Sequence, residues 1–174
     1  MDAVAKRAGV SKQTVYSQFH NKDTLFRACI QNKVESYGFG ETGLAGTEDL
    51  HGALLNIVSQ FVSLLFDSEV IAMHRVVMGE SAGYPRIAAM FYEDGPARTK
   101  ATVRKFLERQ VQLGKLKIDY PHYAAVQLLN MAVGEYQQQM MLNLIEAPPA
   151  RELREHLERV VDDFIRLYGS KDNQ

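Results

Sequence analysis

The segment Val4-Ala5-Lys6-Arg7-Ala8-Gly9-Val10-Ser11-Lys12-Gln13-Thr14-Val15-Tyr16-Ser17-Gln18-Phe19 decides the reading of this chain. Ser11 stands where a hydroxyl can accept a first-turn backbone N–H, which predicts a helix starting at Lys12. Gly9 stands where a preceding short helix needs a left-handed residue to stop. Val10 and Val15 flank the cap in the positions of a hydrophobic staple. The pattern predicts a helix over Asp2–Ala8, a tight turn at Gly9-Val10 and a second helix over Lys12–Phe19. Asn21 caps a third helix, with Leu25, Phe26, Cys29, Ile30, Val34 and Tyr37 on its buried side. Two short helices joined by a glycine-containing turn are the layout of a helix-turn-helix.

The second helix sorts its side chains by chemistry. Val15 and Phe19 face inward, whereas Lys12, Gln13, Thr14, Ser17 and Gln18 face outward with donors and acceptors that read base edges or grip phosphate. Tyr16 offers a hydroxyl for a phosphate and a ring for packing. Lys22 adds a point charge beside a helix N-terminus, which itself favours phosphate. The 174 residues carry a formal net charge of −1, but residues 1–37 hold +3 and the remainder −4. An anionic partner is therefore expected for the first part only.

Beyond residue 37 the composition changes. Gly38, Gly40, Gly43 and Gly46 argue against a regular helix, so 38–48 is read as a connection between a module at 1–37 and a larger domain at 49–174. Apolar stripes then predict helices at 50–66, covered on two sides, and at 70–79. A short helix is expected over 85–92, ending at Asp94-Gly95-Pro96, followed by one over 100–113 that stops at Gly114. Asp119 is expected to cap a helix opened by Pro121 and running to about Leu144, and a last helix spans 150–168. No segment shows two-residue alternation, so the fold class is all-α.

A hydrophobic share of 46% and a charged share of 24% exclude a largely disordered chain. No apolar run approaches the roughly 20 residues of a membrane helix, so no membrane partner is expected. The single cysteine, Cys29, precludes an intrachain disulfide and fits a reducing cytoplasm. It is read as a small buried hydrophobe, and no cysteine–histidine nucleophile pair is formed. Glu48-x-x-His51 and Asp119-x-x-His122 have a metal-ligand spacing, but both sit at helix starts, where carboxylates cap. No enzyme chemistry, metal or cofactor is expected.

Residues Ala5 to Ser11, with Thr14, Tyr16, Phe19, Lys22, Leu25 and Phe26, resemble the TetR family of transcriptional regulators. Phe91 to Arg98, with Leu113 to Leu116 and Asp119, resemble its AefR-like subgroup. The resemblance implies a homodimer presenting Lys12–Phe19 to successive major grooves of a pseudo-palindromic double-stranded DNA operator. Its contacts would be Lys12, Gln13, Thr14, Tyr16, Ser17, Gln18 and Lys22, with Gln13 and Ser17 on base edges and Thr14, Tyr16 and Lys22 on phosphates. The family's module has three helices, and by that comparison this chain starts at the second. An absent first helix is therefore expected, leaving Val4, Ala8, Val15, Phe19 and Phe26 short of cover.

The resemblance also implies a C-terminal domain that binds a small-molecule effector and forms the dimer. Helices 121–144 and 150–168 would build a four-helix bundle with their copies. Leu157, Val160, Val161, Phe164 and Ile165 supply either that seam or the core of their own subunit. Met73, Met78, Met90 and Met131 either fill core or line a permissive apolar pocket. His74 either bonds within the core or holds a ligand's polar end, and Tyr92, Tyr136 and Gln137 to Gln139 are weaker candidates. The leading expectation is a repressor released by its ligand. The alternative is a dimeric small-molecule-binding protein whose DNA binding is impaired by the missing helix.

Overall fold

The computed structural model describes residues 1–40 and 49–170, and all regular elements among them are helical. The first helix, α1 (Asp2–Ala8), ends on Gly9 in the left-handed region, φ 66°. In α2 (Lys12–Gln18) the Ser11 hydroxyl accepts the Thr14 backbone N–H at 3.0 Å. Phe19 is already extended, one residue before the expected end. Of the expected staple, Val15 is buried but Val10 remains on the surface. The third helix, α3 (Lys22–Ser36), starts with a reciprocal capping box between Asn21 and Thr24.

Residues 41–48 of the expected 38–48 connection lie outside the described residues. Within its described part, Phe39 is fully buried and meets the Phe61 ring edge-on at 6.2 Å. The body begins with α4 (Leu50–Leu65), capped by Asp49. Leu54, Ile57, Val58 and Val62 bury α4 on two sides, which makes it the central helix as expected. Around it lie α5 (Ser68–Glu80), α6 (Pro85–Tyr92), α7 (Arg98–Gln112), α8 (Pro121–Val133), α9 (Tyr136–Met141) and α10 (Ala150–Tyr168). Val103 and Leu107 of α7, Leu128 and Leu129 of α8, and Val161 and Phe164 of α10 complete one core.

The structure corrects four expectations and decides one that the sequence left open. The chain does not break at Asp94-Gly95-Pro96: a π-helical turn, Glu93–Ala97, joins α6 to α7 without interruption. Pro96 has no N–H to donate, and the wider turn accommodates it inside a helix. Tyr120, not Asp119, precedes α8, without a side-chain cap. That helix stops at Gly134 (φ 54°, ψ −141°), where His156 meets the Met131 carbonyl at 2.9 Å, so 121–144 is two helices. Leu157, Val160, Val161 and Phe164 are buried within their own chain, which makes the α10 stripe core. Cys29 is exposed on α3 instead of buried.

Polar contacts fasten α3 to the body along its length. Arg27 donates to Asp94 at 2.8 Å and to Glu93 at 2.9 Å, and Gln31 donates to Asp94 at 2.8 Å. Farther along, Lys33 bridges Asp67 at 2.9 Å and Glu69 at 2.8 Å, while Tyr37 donates its hydroxyl to Asp67 at 2.8 Å. Asp67 also caps α5 by accepting the Glu69 and Val70 N–H groups. Burial alone would push the Asp67 carboxyl up. Hydrogen bonds from Lys33, Tyr37 and the two backbone groups outweigh burial and hold it at about 2, below the usual 3.8.

Two measurements check this architecture. A Cβ at Gly134 would adopt a strained backbone and lie 3.3 Å from His156 Nε2. Gly134→Ala should cost about 1–3 kcal/mol and lower the thermal midpoint by roughly 2–12 °C, followed by circular dichroism. An unchanged midpoint would show that the helix break does not depend on glycine. Because the folded pKa of Asp67 is depressed, its contribution is present above pH 4 and is lost as pH falls toward 2. Asp67→Asn should lose roughly 2 kcal/mol at neutral pH and show a flatter decline through that acid window. Denaturant titrations at neutral and acid pH read the difference; equal slopes for both proteins would contradict the assignment.

Candidate functional site

Two regions of the molecule carry functional chemistry, and α3 connects them. The first is the outer surface of α2. Lys12, Gln13, Thr14, Ser17 and Gln18 are all exposed there, as is Lys22 at the start of α3. Tyr16 is 43% exposed, while Val15 is buried and Phe19 half-buried. The helix therefore presents a polar face on an apolar base. Its hydroxyls are pre-set: Thr14 Oγ1 lies 2.8 Å from Ser11 Oγ, and Ser17 donates to the Thr14 carbonyl at 2.9 Å. Lys12 pairs with Asp2 of α1 at 2.8 Å, and the hydrogen bond to Asp2 raises its pKa. All seven expected DNA-contact residues lie on α2 and the first turn of α3.

The second region is a cavity of about 340 Å³ inside the junction of α3 with the body. That volume lies within the range of small-molecule sites. Ile30, Val34, Phe61, Leu64, Val70 and Phe91 give it apolar walls. Lys33, Glu69, His74, Thr99, Lys100 and Gln137 are the polar groups on its lining. Cys29 and Met73 also reach it.

Of the residues expected at a ligand pocket, Met73 and His74 line this cavity. His74 Nδ1 lies 2.8 Å from the Val70 carbonyl, and the ring stands edge-on to Phe91 at 4.8 Å. The other expected pocket residues lie elsewhere. Met78 is 66% exposed and points away from the core, because α5 turns that face to solvent. Met90 is buried but outside the lining. Tyr92 is exposed, with the Lys100 ammonium 5.3 Å from its ring centroid. Met131 packs against the main core. Sequence reasoning missed Lys33, Thr99 and Lys100, since no local pattern marks a residue as facing a space between distant helices. Of the weaker amide candidates, Gln137 lines the cavity. Among the described residues, no group of three or more His, Cys, Asp or Glu side chains could hold a metal ion.

Glu48 lies outside the described residues, and His51 sits 3.1 Å from Asp162 of α10. No single helix among the described residues is long and apolar enough to cross a membrane.

Comparison with known proteins agrees with this layout. Residues 1–29 match the family described as bacterial regulatory proteins, tetR family. Residues 52–170 match the C-terminal domain of AefR-like transcriptional repressors. The first match runs over residues 1–29, so it does not support an absent first helix. No curated protein matches the chain. Among solved structures, the flavonoid-responsive regulator FrrA is similar at 30% identity and a TM-score of 0.76, covering 98% of this chain and 87% of that one. A TetR-family transcriptional regulator from Mesorhizobium loti MAFF303099 gives 25% identity and 0.78, with 96% and 85% covered. A TetR regulator from Agrobacterium tumefaciens shares the fold at 21% identity and 0.80, with 99% and 84% covered. These relatives are regulators of transcription, not enzymes. A helix-turn-helix surface, an all-helical body and matches over both parts make this chain a member of the TetR family of transcriptional regulators, with an AefR-like C-terminal domain.

Proposed function

We propose that this regulator binds a pseudo-palindromic operator as a homodimer, represses from it, and releases it when a small molecule enters the cavity. The observation that carries the reading is the shared wall. Ile30, Lys33 and Val34 of α3 line the same space as Phe61 of α4, Met73 of α5 and Phe91 of α6. A ligand there touches both the body and the helix that continues from the DNA-reading surface. A ligand that prefers one position of α3 lowers operator affinity by its differential affinity, typically 1–3 kcal/mol. FrrA is flavonoid-responsive. That likeness and the apolar walls favour an aromatic effector. The cytoplasm is the compartment that such a role requires.

In this reading, residues 1–37 form the DNA module and 49–174 the effector and dimer body. The dimer would rest on α8 and α10. Tyr123 is 61% exposed and Leu167 is 66% exposed on them, which leaves apolar surface for a partner copy even though the Leu157–Phe164 stripe serves as core.

Operator selection from genomic fragments, followed by binding across a salt series, tests the proposal. A preference of about a thousandfold over random DNA is expected; a preference of only a few fold would refute operator binding. Lys22→Ala should weaken binding to all sequences alike and reduce the salt slope by about one. Gln13→Ala and Ser17→Ala should each relax the preference at one base position, by roughly tenfold, while leaving the salt slope unchanged.

A further inference from the structure

The charges on the cavity wall are unequal. Lys33 and Glu69 both line it and pair at 2.8 Å, with Asp67 as a second acid on Lys33 at 2.9 Å. Lys33 is therefore already engaged by two acids and leaves no free positive charge there. Lys100 lines the same cavity, and its contact is the face of the Tyr92 ring, 5.3 Å from the centroid. Among the described residues no carboxylate lies within ion-pair distance of its ammonium. The remaining wall near it is apolar or already bonded. Phe91 and Pro96 are apolar, and Thr99, only 2% exposed, gives its hydroxyl proton to the Gly95 carbonyl at 3.1 Å. Lys100 is thus the lining cation that no carboxylate among the described residues engages; its ammonium lies over the Tyr92 ring at the edge of the lining, on a flexible stem that can turn it toward the apolar space. Such a site favours an anion that brings its own apolar body.

We infer that the cavity takes an apolar monoanion, an aromatic or aliphatic body bearing one acidic oxygen group, and that Lys100 is the residue that receives that group. This rests on the effector reading of the cavity and goes beyond it by fixing ligand charge and anchor. Lys100 sets selectivity: a neutral analogue of the same shape gains the apolar walls but not the ion pair.

Two fluorescent probes of similar shape separate charge from apolar fit: anilinonaphthalene sulfonate, an anion, and N-phenylnaphthylamine, which is neutral. Both should bind the wild-type chain at one site per subunit, and a cavity-filling Met73→Trp variant should abolish both. Lys100→Gln should weaken the sulfonate about tenfold and leave the neutral probe within twofold, while Lys100→Arg should restore most of the sulfonate affinity. Unchanged sulfonate binding in Lys100→Gln, or equal weakening of both probes, overturns the Lys100 anchor while leaving the cavity as a ligand site. Failure of both probes to bind the wild type, or binding indifferent to Met73→Trp, overturns the effector cavity itself and the anchor with it. Circular dichroism of each variant confirms that the comparison is made between folded proteins.

Discussion

The Asp94 carboxylate, 8% exposed and gripped by Arg27 and Gln31, is the contact on which the arrangement of this molecule depends. A carboxylate at that depth is costly unless paired and hydrogen-bonded. Its partners come from α3, so the body and the helix leading from the DNA-reading surface satisfy each other there. The local backbone makes the grip feasible. Pro96 lies in a π-helical turn whose Asp94 and Gly95 are buried against α3. A Cβ on Gly95 would lie 3.4 Å from Ile30 Cγ2, a contact that a glycine leaves relaxed. A proline, a glycine and an acid that resemble a helix terminator in one dimension serve as a joint in three.

Two ties, one on each side of the cavity wall, give α3 its role. Arg27 and Gln31 hold it to the turn before α7, and Lys33 and Tyr37 hold it to the cap of α5. Between them, Ile30 and Val34 face the cavity. A rod fixed by polar contacts at two places and by apolar contacts between them has few positions of low energy. Filling the space between the ties changes the apolar term without touching the polar ones. In the proposed effector reading, that change would pass along α3 toward α2.

Sequence reasoning succeeded where the determinant is local. The Gly9 stop, the Ser11 cap and the Asn21 cap each depend on a few adjacent residues, and the structure shows each of them. The central burial of α4 was legible from its two apolar stripes for the same reason. Errors fell where distant partners decide. Nothing near Asp94 indicates that Arg27 lies opposite, and nothing near Gly134 announces His156 on the Met131 carbonyl. Cys29 shares the spacing of the buried side of α3, but its part of that side borders the cavity, so it is exposed. The methionines show the limit most plainly. Met73 and Met131 have the same chemistry, yet one faces the cavity and the other the core.

The charge split also changes meaning in three dimensions. Residues 1–37 hold six basic side chains, an excess that suggested DNA as the partner of the whole segment. Arg27 and Lys33 do not face outward for that purpose: their charges are matched by Asp94, Glu93, Asp67 and Glu69 of the body. Lys12 is matched by Asp2 across α1 and α2, an exposed pair that a phosphate can displace at little cost. Lys6, Arg7 and Lys22 are left without an ion-pair partner among the described residues. The basic segment therefore has two separate electrostatic tasks. One set of cations secures α3 to an acidic body, and the other remains available at the surface. Part of the body's acidic excess is the counterpart of the first set, so the opposite signs of the two segments reflect their attachment to each other as much as their different partners.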